Sequence, residues 1–418
     1  NEVTGWPQGP AVWAESAVVM DLDSRTILYS KNMDAVKYPA SITKVMTTLL
    51  AIENSSLDER VTFSENAIYG IERDSSHIGI RVGEILSMEE CLYGMMLESA
   101  NEVCLAVAEH ISGSVDAFVE LMNQRAAQLG CTNTHFTNPN GLPDENHYTT
   151  AHDMALIAQA AYSHPLFSQI CKTQTYVIPK TNMCGEERWL NNHHKMLPEG
   201  AYAYDGCTGG KTGFTQAALN TLVTFAERDG RRLVCVSLRT NGPQIYADTA
   251  AMLDYGFQNF QNVTVYSPAS CAAAHFLYPS LYFGQACTPD RLRSACTVTV
   301  PLNTDLSQLT STVSQEEHQL TKAYQFSGYT VGTEQLSTDA IKTLLTSSPR
   351  EAGISSGTYS ASLLSQISEA PAVQNTASLL QSVPPVAYLL AVLLVALIIM
   401  ELVLAARRKR RKKRKRKK

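Results

Sequence analysis

Three short motifs in this sequence carry side chains that could together perform acyl transfer. The first is Ser41-Ile42-Thr43-Lys44, in which the lysine follows the serine by one helical turn on the same face. A serine hydroxyl is a weak nucleophile unless a neighbouring base removes its proton. Lys44 can be that base if burial or a second cation lowers its pKa. Taken alone the pattern is weak, because many surface helices contain it by chance.

The second motif is Ser99-Ala100-Asn101, which lies between two stretches of helical periodicity. A loop there could point both polar side chains into a cleft. Ser99 could relay a proton between Lys44 and a leaving group, and Asn101 could orient Lys44 and hold a substrate amide. Taken alone, the triplet could equally cap a helix, because serine and asparagine satisfy free N–H groups at helix starts.

The third motif is Lys211-Thr212-Gly213, which follows a pair of glycines. We expect it on an edge strand beside a cleft, where a glycine lets a substrate backbone approach closely. Lys211 and Thr212 offer a cation and a hydroxyl to a carboxylate. An isolated motif of this kind is more simply a glycine-rich turn with a solvated lysine. All three motifs in this order along one chain are improbable as a coincidence.

Apolar spacing predicts the elements that must hold these motifs. A strand pair is predicted over 16–32, and the segment that begins at Ser41 has helical periodicity. Further helices are predicted over 87–97, 102–111, 117–129, 151–162 and 243–257, with neighbouring strands over 222–227 and 232–238. Helices in the middle of the chain with strands from both ends indicate an α+β fold, an antiparallel sheet covered by helices.

The motif set resembles the active-site serine penicillin-recognising enzymes. The stretches PASITKVMT, SANEVCLAVAEH, HYTTAHDMALIA and GGKTGFT are similar to the D-alanyl-D-alanine carboxypeptidases of low molecular mass, and the resemblance is strong over about residues 12–260. It implies a β-lactamase-like transpeptidase domain that removes the terminal D-alanine from peptidoglycan pentapeptide stems. It also implies covalent inhibition by β-lactam antibiotics, and neither a metal nor an organic cofactor.

The resemblance also implies a role for each motif residue. Ser41 would be the nucleophile, Lys44 the general base, and Ser99 a part of the proton path. The residues that bind substrate would be Asn101, Lys211, Thr212, Gly213 and Phe214. The oxyanion hole would consist of the backbone N–H groups of Ser41 and Phe214. Phe214 departs from the histidine often found there, which alters side-chain contacts but keeps the N–H group.

Beyond the catalytic region we expect several further segments. The predicted divisions are an N-terminal segment (1–11), a catalytic serine peptidase domain (12–260), a small all-β domain (261–343), a stalk (344–385), a transmembrane helix (386–406) and a polybasic tail (407–418). Residues 386–406 are apolar apart from Glu401, and a helix needs ~20 apolar residues to cross a bilayer.

The charge distribution predicts how the chain lies in a membrane. Every residue of the tail, 407–418, is Lys or Arg, so the positive-inside rule places the tail in the cytoplasm and the body outside. Because the chain starts at Asn1, we interpret it as a mature form whose signal peptide has been removed. The net charge is −5 despite this tail, so the acidic body would repel nucleic acid, and the lipid bilayer is the expected partner of the tail.

Some further residues could carry chemistry but have simpler interpretations. The ten cysteines have no metal-ligand spacing, and an even number outside the cell permits disulfides. Cys91 and Cys104 fall in apolar helical patterns and are predicted to be buried thiols. His193-His194 lacks a nearby third metal ligand and is interpreted as part of a solvated loop. Arg239 could bind a carboxylate or could be a surface arginine at a strand end.

Two other functions fit parts of the sequence. The stretch ERWLN, which begins at Glu187, resembles the deacylation motif of a class A β-lactamase, but it lies too close to Lys211 in the chain. A non-catalytic penicillin sensor or wall-binding protein would use the anchor for signalling. The intact Ser41 and Lys44 argue against an inactive site, and the tail is too short to be a signalling domain.

Overall fold

A computed structural model describes residues 5–72, 74–266, 295–316 and 319–337. The helices are α1 (Lys44–Asn54), α2 (Glu65–Tyr69), α3 (Met88–Leu97), α4 (Asn101–Ser112), α5 (Val115–Gln128), α6 (Ala151–Tyr162), α7 (Pro165–Lys172) and α8 (Gln244–Asn259). The strands are β1 (Ser16–Asp21), β2 (Ile27–Lys31), β3 (Arg60–Thr62), β4 (Ile85–Ser87), β5 (Thr175–Ile178), β6 (Arg188–Asn191), β7 (Cys207–Thr215), β8 (Leu219–Arg228), β9 (Arg231–Thr240), β10 (Phe260–Tyr266), β11 (Ala295–Pro301), β12 (Thr310–Glu316), β13 (Gln319–Phe326) and β14 (Tyr329–Ser337).

A five-stranded antiparallel sheet organises the catalytic region, with strand order β2-β1-β9-β8-β7. Strands from both ends of this region therefore meet in one sheet, as the sequence predicts. The largely buried strands β1, β9 and β8 occupy its interior. The glycine-containing β7 forms an edge, where one side of the strand has no neighbour and can accept a substrate backbone.

Apolar clusters cover both faces of this sheet. Successive side chains of a strand point to opposite faces, and β1 shows this directly. Val18 and Met20 pack into a large cluster with α1, α3, α4 and α6, whereas Ala17 and Val19 pack against α8. The large cluster holds α1 between the sheet and the other helices. The start of α1 is thereby fixed close to the edge strand β7.

Local sequence signals explain where the helices beside the site begin. The side chain of Ser87 accepts from the backbone N–H of Glu90, and the Glu90 carboxylate accepts from the backbone of Ser87, which caps α3. The observed α3, α4, α5, α6 and α8 agree with their predicted ranges to within two residues. The short α2 and α7 and the hairpin β5–β6 were not predicted.

Past α8 the described chain consists of strands and a short 3-10 helix, Leu306–Gln308. β10 pairs with β11, and β12, β13 and β14 form a three-stranded sheet. The small all-β domain over 261–343 stays a prediction. The stalk (344–385), the transmembrane helix (386–406) and the tail (407–418) lie outside the described residues. Within the described ranges no helix is both long enough and apolar enough to cross a membrane.

Candidate active site

Ser41 lies in a 3-10 turn, Ala40–Thr43, that runs directly into α1. The Nζ atom of Lys44 is 3.1 Å from the Oγ atom of Ser41. The turn is tied to the sheet because the hydroxyl of Thr221 on β8 donates to the carbonyl of Pro39 at 2.7 Å. The first motif therefore places an amine in hydrogen-bond contact with the hydroxyl that could act as nucleophile.

Lys44 is completely buried and is held by three oxygen atoms. Its Nζ donates to Ser41 Oγ, to Asn101 Oδ1 at 2.7 Å and to the backbone carbonyl of Asn140 at 2.7 Å. Burial disfavours the charged form and lowers the pKa of Lys44 to about 8. About a tenth of the amine is therefore neutral at pH 7, far more than for an ordinary lysine, and a general base must be neutral.

The second motif places one hydroxyl in the site without a partner. Ser99 has a left-handed backbone (φ 60°) and is buried, and its Oγ has no hydrogen-bond partner among the described residues. Asn101 begins α4, and its backbone N–H donates to the carbonyl of Ser76 at 2.9 Å. A buried hydroxyl without a partner is unusual, and here it is available to a substrate or a proton.

The third motif lies on the edge strand β7. Lys211 is buried, and its Nζ donates to the backbone carbonyl of Thr212 at 2.9 Å. Burial and the charge of Lys44 lower the pKa of Lys211 to about 7. Two buried amines therefore lie in one site, and each opposes protonation of the other. Thr212 itself is only partly buried, so its hydroxyl can reach a ligand.

Gly213 lets β7 approach the backbone of Ser41. A Cβ atom at this position would lie 2.9 Å from the backbone N of Ser41 and 2.4 Å from Thr221 Oγ1, so only glycine fits. This close approach supports an oxyanion hole made by the N–H groups of Ser41 and Phe214. The side chain of Phe214 is 62% exposed, so such a hole would use its backbone N–H alone.

A turn at 138–142 completes the site, and sequence analysis did not assign these residues to it. Its Asn140 carbonyl is one of the three acceptors around Lys44. Gly141 has a φ of +87°, and a Cβ atom there would lie 1.9 Å from the carbonyl oxygen of Ala40. The Asn-Gly pair is the sequence signal for this conformation, but nothing in it indicates contact with the catalytic lysine.

His147 supports the same turn from behind. Its Nδ1 accepts the backbone N–H of Thr137 at 3.0 Å, so the proton is on Nε2, which lies 2.8 Å from Thr43 Oγ1. Burial lowers the pKa of His147 to about 4, which keeps the ring neutral. This second residue missed by sequence analysis therefore positions the first motif.

The remaining candidates from the sequence lie elsewhere or have other partners. The guanidinium of Arg239 binds Glu15 at 2.9 Å and the carbonyl of Ala217 at 2.6 Å, beside a cavity of about 270 Å³. The interpretation of His193-His194 as a solvated loop is wrong for His194, which is buried. No group of three or more possible metal ligands occurs among the described residues.

Comparison with known proteins gives one family. The family model described as D-alanyl-D-alanine carboxypeptidase matches residues 4–242, which include all three motifs. The D-alanyl-D-alanine carboxypeptidase DacB2 of Mycobacterium tuberculosis is 34% identical, over 60% of this chain and 84% of the relative. DacC of Escherichia coli is 30% identical, over 78% of this chain and 80% of the relative. DacF of Bacillus subtilis is 33% identical over 60% of this chain, which spans 64% of that relative.

Solved structures show the same likeness. A D-alanyl-D-alanine carboxypeptidase from Mycobacterium tuberculosis is 32% identical with a TM-score of 0.56, and the match covers 62% of this chain and 96% of that one. The Streptomyces K15 DD-transpeptidase is 28% identical with a TM-score of 0.56, covering 60% of this chain and 100% of that one. The match thus spans nearly all of each of these structures.

Proposed function

This chain belongs to the D-alanyl-D-alanine carboxypeptidase family, and we propose how its residues carry out the serine carboxypeptidase reaction. Ser41 Oγ attacks the carbonyl of the penultimate D-alanine in a peptidoglycan stem, while neutral Lys44 accepts the hydroxyl proton. Ser99 relays that proton from Lys44 to the departing amine, which leaves Lys44 neutral again, and the bond to the terminal D-alanine breaks. Water then attacks the acyl-enzyme, and its proton returns through Lys44 as Ser41 is released.

One observation carries this proposal. The lysine Nζ that contacts Ser41 Oγ at 3.1 Å is buried, has a lowered pKa and is oriented by Asn101 and Asn140. This is the geometry of a nucleophile with an adjacent base whose own position is fixed by a third group. A lysine on a solvated surface would have neither the lowered pKa nor the fixed position.

We propose that Lys211 and Thr212 bind the terminal carboxylate of the substrate. With a pKa of about 8 for Lys44 and about 7 for Lys211, Lys44 is mostly protonated and Lys211 is about half protonated in the free enzyme near neutral pH. An arriving carboxylate favours the charged form of Lys211. Substrate binding then favours the protonation states that the reaction needs, a cationic Lys211 and a neutral Lys44.

The oxyanion that forms at the attacked carbonyl would lie between the backbone N–H groups of Ser41 and Phe214. Gly213 supports this assignment because it lets the strand approach the serine backbone. Backbone donors in a fixed position stabilise such a charge without reorganisation. Asn101, on the opposite wall, would hold an amide of the stem.

The β-lactamase alternative is not favoured. The carboxylate that would activate the deacylating water is Glu187, and its side chain is exposed to solvent. Leu190 of the same stretch is part of the core, and the backbone N–H of Asn191 binds Glu98 at 2.7 Å. The stretch is therefore a strand of the hairpin β5–β6. Because no carboxylate of this stretch activates the deacylating water, we expect the chain to hydrolyse penicillin slowly.

The experiment that tests the function measures D-alanine released from diacetyl-Lys-D-Ala-D-Ala by the full chain. We expect many turnovers per enzyme, none with Ser41→Ala, and normal turnover with the control Ser56→Ala, which changes an exposed serine. Release by Ser41→Ala at the wild-type rate would contradict the proposed nucleophile. Failure of the wild-type chain to release D-alanine would contradict the function itself.

We further propose that residues 386–406 anchor the chain as a single transmembrane helix, with the catalytic body outside and the tail in the cytoplasm. Sequence supports this: an apolar run of sufficient length is followed by a wholly basic segment. Protease added outside intact cells should release the body and leave the tail protected. Digestion of the tail from outside would contradict this orientation.

A further inference from the structure

A carboxylate and an imidazole form a pair on the rim of the cleft, directly before the second motif. Glu98 precedes Ser99, and its Oε2 lies 3.0 Å from Nε2 of His193. Its Oε1 accepts the backbone N–H of Asn191 at 2.7 Å. The rim therefore joins the end of α3 to the chain that leaves β6. None of the steps in the proposed carboxypeptidase reaction uses this pair.

The backbone on both sides of His193 is fixed. The side chain of Asn192 donates to the carbonyls of Cys171 at 3.2 Å and Thr173 at 2.9 Å. The ring of His194 is buried against β8, with Nε2 3.0 Å from Thr224 Oγ1. His193 is thus held between two anchored residues, and its pair with Glu98 exists before a ligand arrives.

The pair keeps a net negative charge that is open to solvent. The side chain of His193 is 50% exposed and that of Glu98 is 23% exposed. Burial lowers the pKa of His193, helped by the charges of Lys211 and Lys195, while Glu98 opposes this shift. The ring is therefore neutral at pH 7, and its N–H donates to a carboxylate that still has free lone pairs.

We propose that Glu98, held in place by His193, binds an ammonium group on the stem residue just before the D-alanine pair, and so selects stems with a free amine there. This inference rests on the proposed function, in which Asn101 holds an amide of the stem. Glu98 lies three positions before Asn101, in the connection between α3 and α4, so in this binding mode the side chain of the residue attached to that amide would pass close to Glu98. Lys211 lies within the electrostatic range of both members of the pair and restricts the ammonium to the outer side of Glu98.

The test compares two substrates that differ by one acetyl group, Nα-acetyl-Lys-D-Ala-D-Ala with a free side-chain amine and diacetyl-Lys-D-Ala-D-Ala. We expect the full chain to prefer the free amine by about fivefold in kcat/KM, as for a partly exposed charge pair. Glu98→Gln should bring this ratio close to one. Because the charge of Glu98 raises the pKa of Lys211, any weaker carboxylate binding in this variant should lower kcat/KM for both substrates alike and leave the ratio as the readout. The matched control is Glu187→Gln, which removes the same charge from an exposed site at the start of β6 and should keep the preference.

A second variant and a second measurement distinguish loss of the preference from misfolding of the site. His193→Arg places a permanent cation against Glu98 at a half-exposed position, and it should also abolish the preference. The acylation rate with benzylpenicillin, which has no amine, reports whether each variant keeps an intact site. Equal kcat/KM values for the two substrates in the wild-type chain, or a preference that survives both substitutions, would overturn the inference. Lack of release from either substrate would instead contradict the proposed function.

Discussion

The pH dependence of acylation follows from the buried environment of Lys44. With its ordinary pKa of 10.5, about 0.03% of the amine would be neutral at pH 7, whereas with a pKa of about 8 the neutral share is about 9%. Burial therefore supplies roughly 300 times more free base at neutral pH. Since only the neutral amine can accept the proton of Ser41, the rate should follow this fraction.

The direction in which the acylation rate changes with pH depends on which protonation state of Lys44 is active, and this is the neutral amine. Below about pH 7 the second-order rate constant should fall about tenfold for each unit of pH, because the neutral share of Lys44 falls by that factor. Above about pH 7 the loss of charge on Lys211, whose pKa is about 7, should weaken binding of the penicillin carboxylate, so the rate constant should level off and then decline. Because the two lysines interact, the apparent pKa values belong to the pair.

Stopped-flow measurement of the second-order rate constant for benzylpenicillin between pH 5.5 and 9.5, at constant ionic strength, tests this prediction. Lys172→Met is the matched control, because it removes an exposed lysine from the end of α7 and should leave the profile unchanged. A rate constant that is flat between pH 5.5 and 7 would refute the reasoning. So would a rate constant that still climbs tenfold per unit between pH 8.5 and 9.5.

Three further predictions concern the site and the stability of the domain. Gly213→Ala places a Cβ atom 2.4 Å from Thr221 Oγ1 and 2.9 Å from the Ser41 N, so acylation should fall by about 10²–10³, as on loss of an oxyanion donor; an unchanged rate would contradict this. Arg188→Ala leaves Glu84 buried without its cation at 2.7 Å and should lower the free energy of unfolding by about 3–5 kcal/mol in urea at pH 7. Because Arg188 holds the pKa of Glu84 below its ordinary value, despite burial, that difference should shrink in acid. Penicillin should remain as an acyl-enzyme for minutes or longer, and hydrolysis at ~10 s⁻¹ would favour a β-lactamase instead.

The sequence predicted those parts of the fold and site that depend on local patterns. Helical periodicity placed Lys44 one turn after Ser41, and the glycines around Lys211 indicated an edge strand beside a cleft. Both features can be recognised without knowledge of any distant contact. The apolar runs of β8 and β9 likewise predicted neighbouring strands.

The features that were missed depend on contacts between distant parts of the chain. Asn140 acts through a backbone carbonyl that every residue type carries, so its identity gives no signal of contact with Lys44. Glu98 and His193 meet only because β6 lies beside the end of α3. The low pKa of Lys211 results from packing, and His194 is buried because Asn192 and β8 hold its loop, which its polar composition does not indicate.

The central claim is that Ser41 forms the covalent intermediate. Full-length chain labelled with penicillin, digested and analysed by mass spectrometry should carry the penicilloyl group on the peptide that contains Ser41. Ser41→Ala should carry none, while Ser99→Ala should still be labelled, but more slowly. A penicilloyl group on any other serine, or undiminished labelling of Ser41→Ala, would contradict the account.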